Sequence, residues 1–255
     1  MSDAEDRSDP FFIGWAAAPG RLRPFLAGVG LCLAVLFGGV GYIAAATQAD
    51  PGSGSGGRRE TAIGVLAYDP YPLLYVTESE RYPAGHTLLL SGNAKFGVQD
   101  RASALDGRLV QVSGGPVSRG DIDMLRLRGG TNGLSLVEDA PEAPPVPQPV
   151  SLGRWRLTGE ICDGQCVAGA MRPGTGLAHR ACANLCLIGG VPPVFVSTAA
   201  VEGEEFFLLA DADGGPVTDA VLDHVAILVE VEGEVERRGN LLVFRIDPGS
   251  LQVAP

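Results

Sequence analysis

Four of the five cysteines lie in one short stretch together with a histidine and a methionine: Cys162, Cys166, Met171, His179, Cys182 and Cys186. Thiolate, imidazole and thioether are the donors that soft and borderline metal ions take, and thiols in pairs are equally the material of disulfides. The run from Leu177 to Ile188 is rich in helix formers and stops at Gly189-Gly190, which predicts a helix with a glycine end. At about 100° per residue, His179, Cys182 and Cys186 then share an arc of roughly 60°. If Cys166 approaches that face, three sulfurs and one imidazole converge, a set suited to tetrahedral Zn²⁺, or to Cu(I) with Met171 as a further soft ligand. The spacing C-x3-C…H-x2-C-x3-C carries no C-x-x-C-H haem signature, no C-x2-C zinc-ribbon pair and no thioredoxin-like C-x-x-C.

What positions these residues is a duplication. Residues 88–127 align without a gap to residues 207–246, so that Leu89 and Leu90 fall on Leu208 and Leu209, Val110 and Val112 on Val229 and Val231, Gly114 on Gly233, and Arg119-Gly120 on Arg238-Gly239. Each pair stands 119 positions apart, as expected of one supersecondary unit written twice. Upstream, Ile63-Gly64 resembles Thr158-Gly159 and the run from Pro72 to Val76 resembles that from Pro192 to Val196, yet the second copy spends about 25 more residues between those landmarks. The extra residues, 163–188, contain Cys166, Met171, His179, Cys182 and Cys186, with Cys162 at their border. A graft on a repeated scaffold is the natural place for a site.

Short runs of period-two alternation separated by Gly-containing turns predict a mainly all-β chain of two tandem modules, 61–138 and 151–255. The expected order in the first is strand 61–67, strand 72–77, strand 86–92, a short helix near 98–105, strand 108–114, a tight turn at Arg119-Gly120 and strand 122–128. Five strands with a helix between the third and fourth resemble an OB-like Greek-key barrel, a fold whose members commonly bind oligonucleotides or oligosaccharides. Residues 47–60 read as a flexible Gly/Ser tether, and the proline-rich residues 139–150 as a semi-rigid linker. The anchored arrangement with its Cys/His insert also resembles that of membrane-anchored bacterial envelope proteins, a resemblance that implies no activity.

Residues 25–46 are 22 consecutive uncharged positions, enough to cross a hydrocarbon core of about 30 Å. They predict a single transmembrane helix in the lipid bilayer, preceded by a cytoplasmic segment 1–24, with Arg21 and Arg23 on the inner side. A cleaved signal peptide ending near Ala44-Ala45-Ala46 is the rival reading. Either places residues 47–255 outside the cytoplasm, in the periplasm of a bacterium with two membranes. In that compartment Cys162, Cys166, Cys182 and Cys186 are expected to pair as disulfides that staple the insert. The alternative is the metal site at Cys166, His179, Cys182, Cys186 and Met171.

Net charge is −11 and the 19 basic residues are all arginine except Lys95; with no basic stripe interleaved with aromatics, nucleic acid is not an expected partner. His86 and His224 read as surface or capping groups, and Asp211, Asp213 and Asp219 as turn residues, since the EF-hand pattern is missing. No Ser-His-Asp order, nucleophile elbow or phosphate loop is present, so no catalytic residue is assigned. The expected function is a non-catalytic, disulfide-stabilised accessory or structural subunit of an envelope or respiratory-type membrane complex. A metal-binding or electron-transfer protein is the alternative, and a thiol-disulfide oxidoreductase the third reading.

Overall fold

The computed structural model describes residues 20–47, 54–138 and 143–255. Helix α1, Arg23–Thr47, contains the uncharged run and is long and apolar enough to cross a membrane. Residues 51–255 form a separate compact unit.

That unit holds two closed five-stranded barrels. The first is built from β1 (Glu60–Ala67), β2 (Leu73–Ser79), β3 (Thr87–Ser91), the short helix α2 (Gln99–Ala102), β4 (Leu109–Arg119) and β5 (Ile122–Leu127). Its strand order is β4-β1-β2-β3-β5, closed by the β4–β5 pair, and β3 runs parallel to β5. The second consists of β6 (Val150–Asp163), α3 (Arg180–Ile188), β7 (Pro193–Val201), β8 (Glu204–Asp211), α4 (Thr218–Val221), β9 (Leu228–Arg238) and β10 (Leu241–Ile246). The order β9-β6-β7-β8-β10, closed by β9–β10 with β8 parallel to β10, is the same topology. Both are OB-like barrels, with the helix between third and fourth strands where the sequence puts it.

The repeat extends to the hydrogen-bond register. Leu89 lies opposite Met124 and Leu208 opposite Val243; Gly114 lies opposite Leu127 and Gly233 opposite Ile246. Each residue and its partner are 119 positions from their counterparts. The two glycines are required by close approach: a Cβ on Gly114 would meet the Arg126 carbonyl oxygen at 2.4 Å and one on Gly233 the Arg245 oxygen at 2.3 Å. Alternation fills each interior, with Leu66, Leu74, Leu90, Val110 and Val112 in the first barrel and Ile161, Phe195, Leu209, Val229 and Val231 in the second.

The modules are not beads held apart by the linker. A third core lies between them, where Leu73, Leu89, Ile122 and Met124 of one barrel pack with Val194, Leu208, Leu241 and Val243 of the other. The all-apolar centres of β3 and β8 (Leu88 to Leu90 and Phe207 to Leu209) are therefore covered on both faces, which explains why these strands do not alternate. The contact is self-complementary. Gly120 at the β4–β5 turn faces the Phe206 ring, and Gly239 at the β9–β10 turn faces Thr87, each 119 positions from its counterpart. Thr87 donates its backbone N–H to Asn240 Oδ1 at 2.6 Å and its hydroxyl to the Arg238 carbonyl at 2.9 Å. The repeats thus pack like the halves of a two-fold symmetric dimer joined by a covalent link.

Candidate metal centre

The insert replaces the short β1–β2 connection of the first barrel. β6 ends at Asp163, the chain makes a wide turn over Cys166–Ala170 in which Gly169 adopts φ 119°, and after the loop through Met171 it enters Leu177–His179 and α3. The helix is where the sequence places it and turns His179 and Cys186 inward, with Cys182 half-buried beside them. The donor atoms of Cys166, His179 and Cys182 lie within 4.8 Å of one another, and those of Asp163, Cys166 and Cys186 form a second such group. Cys166 belongs to both. Met171 Sδ stands 3.7 Å from Cys182 Sγ, so the thioether is also at hand. These residues can hold a metal ion.

A buried carboxylate orders the centre. Asp163 Oδ2 lies 3.0 Å from His179 Nε2 and Oδ1 accepts the Cys166 backbone N–H at 3.0 Å; the two side chains are 0 % and 2 % exposed. A His179 tautomer protonated on Nε2 donates to Asp163 and leaves Nδ1 as the free ring donor, the arrangement in which a carboxylate orients a metal-binding imidazole. Asp163 thereby fixes both a candidate ligand and the turn that carries Cys166.

Lysine 95, the chain's single lysine, comes from the β3–α2 loop of the first barrel. Its Nζ lies 2.8 Å from Cys182 Sγ and 3.7 Å from Cys186 Sγ, and also donates to the Cys182 carbonyl at 3.3 Å. The cluster is thus closed by both repeats. Hydrogen bonding from the Cys166 thiol, assisted by the Lys95 charge, lowers the pKa of Cys186; the same bond together with burial raises that of Cys166. The bond to Cys182 holds the Lys95 ammonium charged. The lowered pKa of Cys186 favours its thiolate form beside the Lys95 cation, a direction that assists metal ligation and thiol chemistry alike.

The disulfide expectation is not met, because all five cysteines are free thiols. Cys162 points from β6 into the core between the barrels, buried among Val194, Leu208 and Met124, and its thiol donates to Glu160 Oε1 at 3.0 Å. Burial, reinforced by the Glu160 charge, pushes that thiol far up. Strand alternation sends it away from the other sulfurs, so it cannot staple α3. The remaining three are an odd number: Cys166 and Cys186 touch through a hydrogen bond, and Cys182 faces Lys95 and Met171.

Of the other singled-out residues, His86 and Asp211 have local partners, whereas the buried Nδ1 of His224 has none among the described residues. His86 meets Asp123 at 2.8 Å and stacks on Tyr82. Asp211 caps its own turn by accepting the N–H groups of Asp213 and Gly215. The duplicated turn arginines differ: Arg238 pairs with Glu236 at 2.6 Å, whereas Arg119 lies over the Phe206 ring. Sequence reading missed Asp163 and Lys95. Nothing in the spacing marks Asp163, but a lone lysine among 18 arginines was a signal available for Lys95.

Comparison with known protein families, curated proteins and solved structures finds no match to this chain.

Proposed function

We propose that this is a membrane-anchored, extracytoplasmic, non-catalytic protein that binds a soft metal ion, Cu(I), through Cys166, His179 and Cys182 with Met171 alongside, in the service of an envelope or respiratory-type membrane complex. The observation that carries the reading is the convergence of those three donors within 4.8 Å, with the His179 ring held by a buried Asp163. Copper is favoured over zinc because a thioether lies beside the cluster, and thiolate with thioether is the donor set that selects Cu(I). Anchoring rests on α1, and the compartment on Arg21 and Arg23 before its uncharged run.

Anaerobic titration of the full chain in detergent with Cu(I), against a chromophoric competing chelator, should give one equivalent bound. Asp163→Asn should weaken binding by about 10- to 100-fold, the range for loss of a carboxylate that orients a ligating histidine. Failure to compete for Cu(I), or one tight equivalent of Zn²⁺ taken in preference to it, overturns the copper reading. A thiol-disulfide function is the second reading, favoured by the Cys166–Cys186 contact and the nearby Lys95. It requires a readily reduced bridge between those two cysteines with a potential well above about −300 mV, and no bound metal.

A further inference from the structure

The duplication offers an internal control for each of its residues, and Arg119 fails it. Its counterpart Arg238 is neutralised by Glu236, but the position equivalent to Glu236 in the first repeat is Val117. Arg119 is left stacked on Phe206, and its buried Nε has no hydrogen-bond acceptor. Arg119 lines a cavity of about 280 Å³ formed where the insert meets the first barrel. Arg172 lines the same cavity, as do Thr175, Val167, Met171 and Pro173, and no carboxylate is among the described residues that line it. Arg172 donates to the Gly54 carbonyl at 3.3 Å. The nearby Glu160 is engaged with the Gly176 N–H and the Cys162 thiol. Two arginines thus line one cavity with no acidic residue among its described walls, in a chain of net charge −11.

We propose that this cavity binds a small aliphatic carboxylate. The guanidinium groups present the planar donor fork that carboxylates accept, the Thr175 hydroxyl adds a donor, and the apolar Val167, Met171 and Pro173 suit a short carbon chain better than a bare inorganic ion. The volume, just below the range of drug-sized ligand pockets, suits a small guest. The inference does not depend on a metal being bound.

Calorimetric titration of the metal-free full chain in detergent with acetate, succinate and inorganic phosphate tests it. The expected result is saturable binding of succinate or acetate, tighter than phosphate, weakened roughly tenfold or more in both Arg119→Gln and Arg172→Gln. Because Arg119 packs on Phe206, its variant can lose stability, but the exposed Arg172 carries no such burden and its variant decides the matter alone. No saturable carboxylate binding at millimolar concentrations, unchanged affinity in Arg172→Gln, or preference for phosphate over both carboxylates overturns the proposal.

Discussion

Replacing Asp121 with Asn should stabilise the fold at neutral pH and leave it unchanged near pH 4. Asp121 follows Gly120 at the tip of the β4–β5 turn, where burial, reinforced by Glu204 from the other barrel, pushes its carboxyl from 3.8 up to about 8; Asp123 adds to the effect and Arg237 opposes it. A folded pKa above the unfolded one means that the native state holds a proton the unfolded chain has released. The stability supplied by the protonated group is complete below about pH 4, declines as pH rises, and is lost as pH passes through about 8. At about 1.4 kcal/mol per pH unit, the span from 3.8 to neutral sets an upper bound of about 4 kcal/mol, which solvent screening of a partly exposed group reduces to about 2 kcal/mol. Asparagine removes the charge and can donate to Glu204; the equivalent residue of the second repeat is already Asn240, which accepts the Thr87 N–H at 2.6 Å. Unfolding of the full chain in detergent by heat, followed from acid to mildly alkaline pH, should show the two proteins coincident near pH 4 and the variant melting about 4–8 °C higher near pH 7. Parallel profiles across that range would refute the raised pKa of Asp121.

Gly233→Ala should destabilise the second barrel by about 2–3 kcal/mol, since its Cβ would lie 2.3 Å from the Arg245 carbonyl oxygen and the strands must part to admit it; denaturant midpoints measure this, and a loss below about 0.5 kcal/mol would contradict the close approach. Cys162→Ala should leave the metal stoichiometry at one and cost about 1 kcal/mol of stability, its sulfur belonging to the core between the barrels and not to the donor cluster. Loss of metal binding in that variant would contradict the separation of Cys162 from the other sulfurs.

The sequence alone carried most elements closely, although the strand expected over 108–114 spans Leu109–Arg119. Alternation and turn glycines put strands at 61–67, 72–77, 86–92 and 122–128, and the structure has them at Glu60–Ala67, Leu73–Ser79, Thr87–Ser91 and Ile122–Leu127. The repeat carries through to the topology, both barrels closing in the same strand order with equivalent registers at Leu89 and Leu208. Helical periodicity likewise put His179, Cys182 and Cys186 on one face of the insert. These are local properties, governed by periods of 2 and 3.6 residues.

Only the tertiary structure decided what those faces meet. The chain order does not say that the repeats fold back on each other, and that packing alone brings Lys95 to Cys182 across 87 residues of sequence. It also leaves Arg119 facing a cavity where its counterpart has a carboxylate. The disulfide expectation came from compartment and cysteine count, and neither contains direction. Alternation along β6 sends Cys162 to one side and Asp163 to the other, so one residue enters the core between barrels while its neighbour holds His179. Which side lies against which partner depends on burying apolar area between distant segments, a sum over the whole unit that no short window of sequence contains.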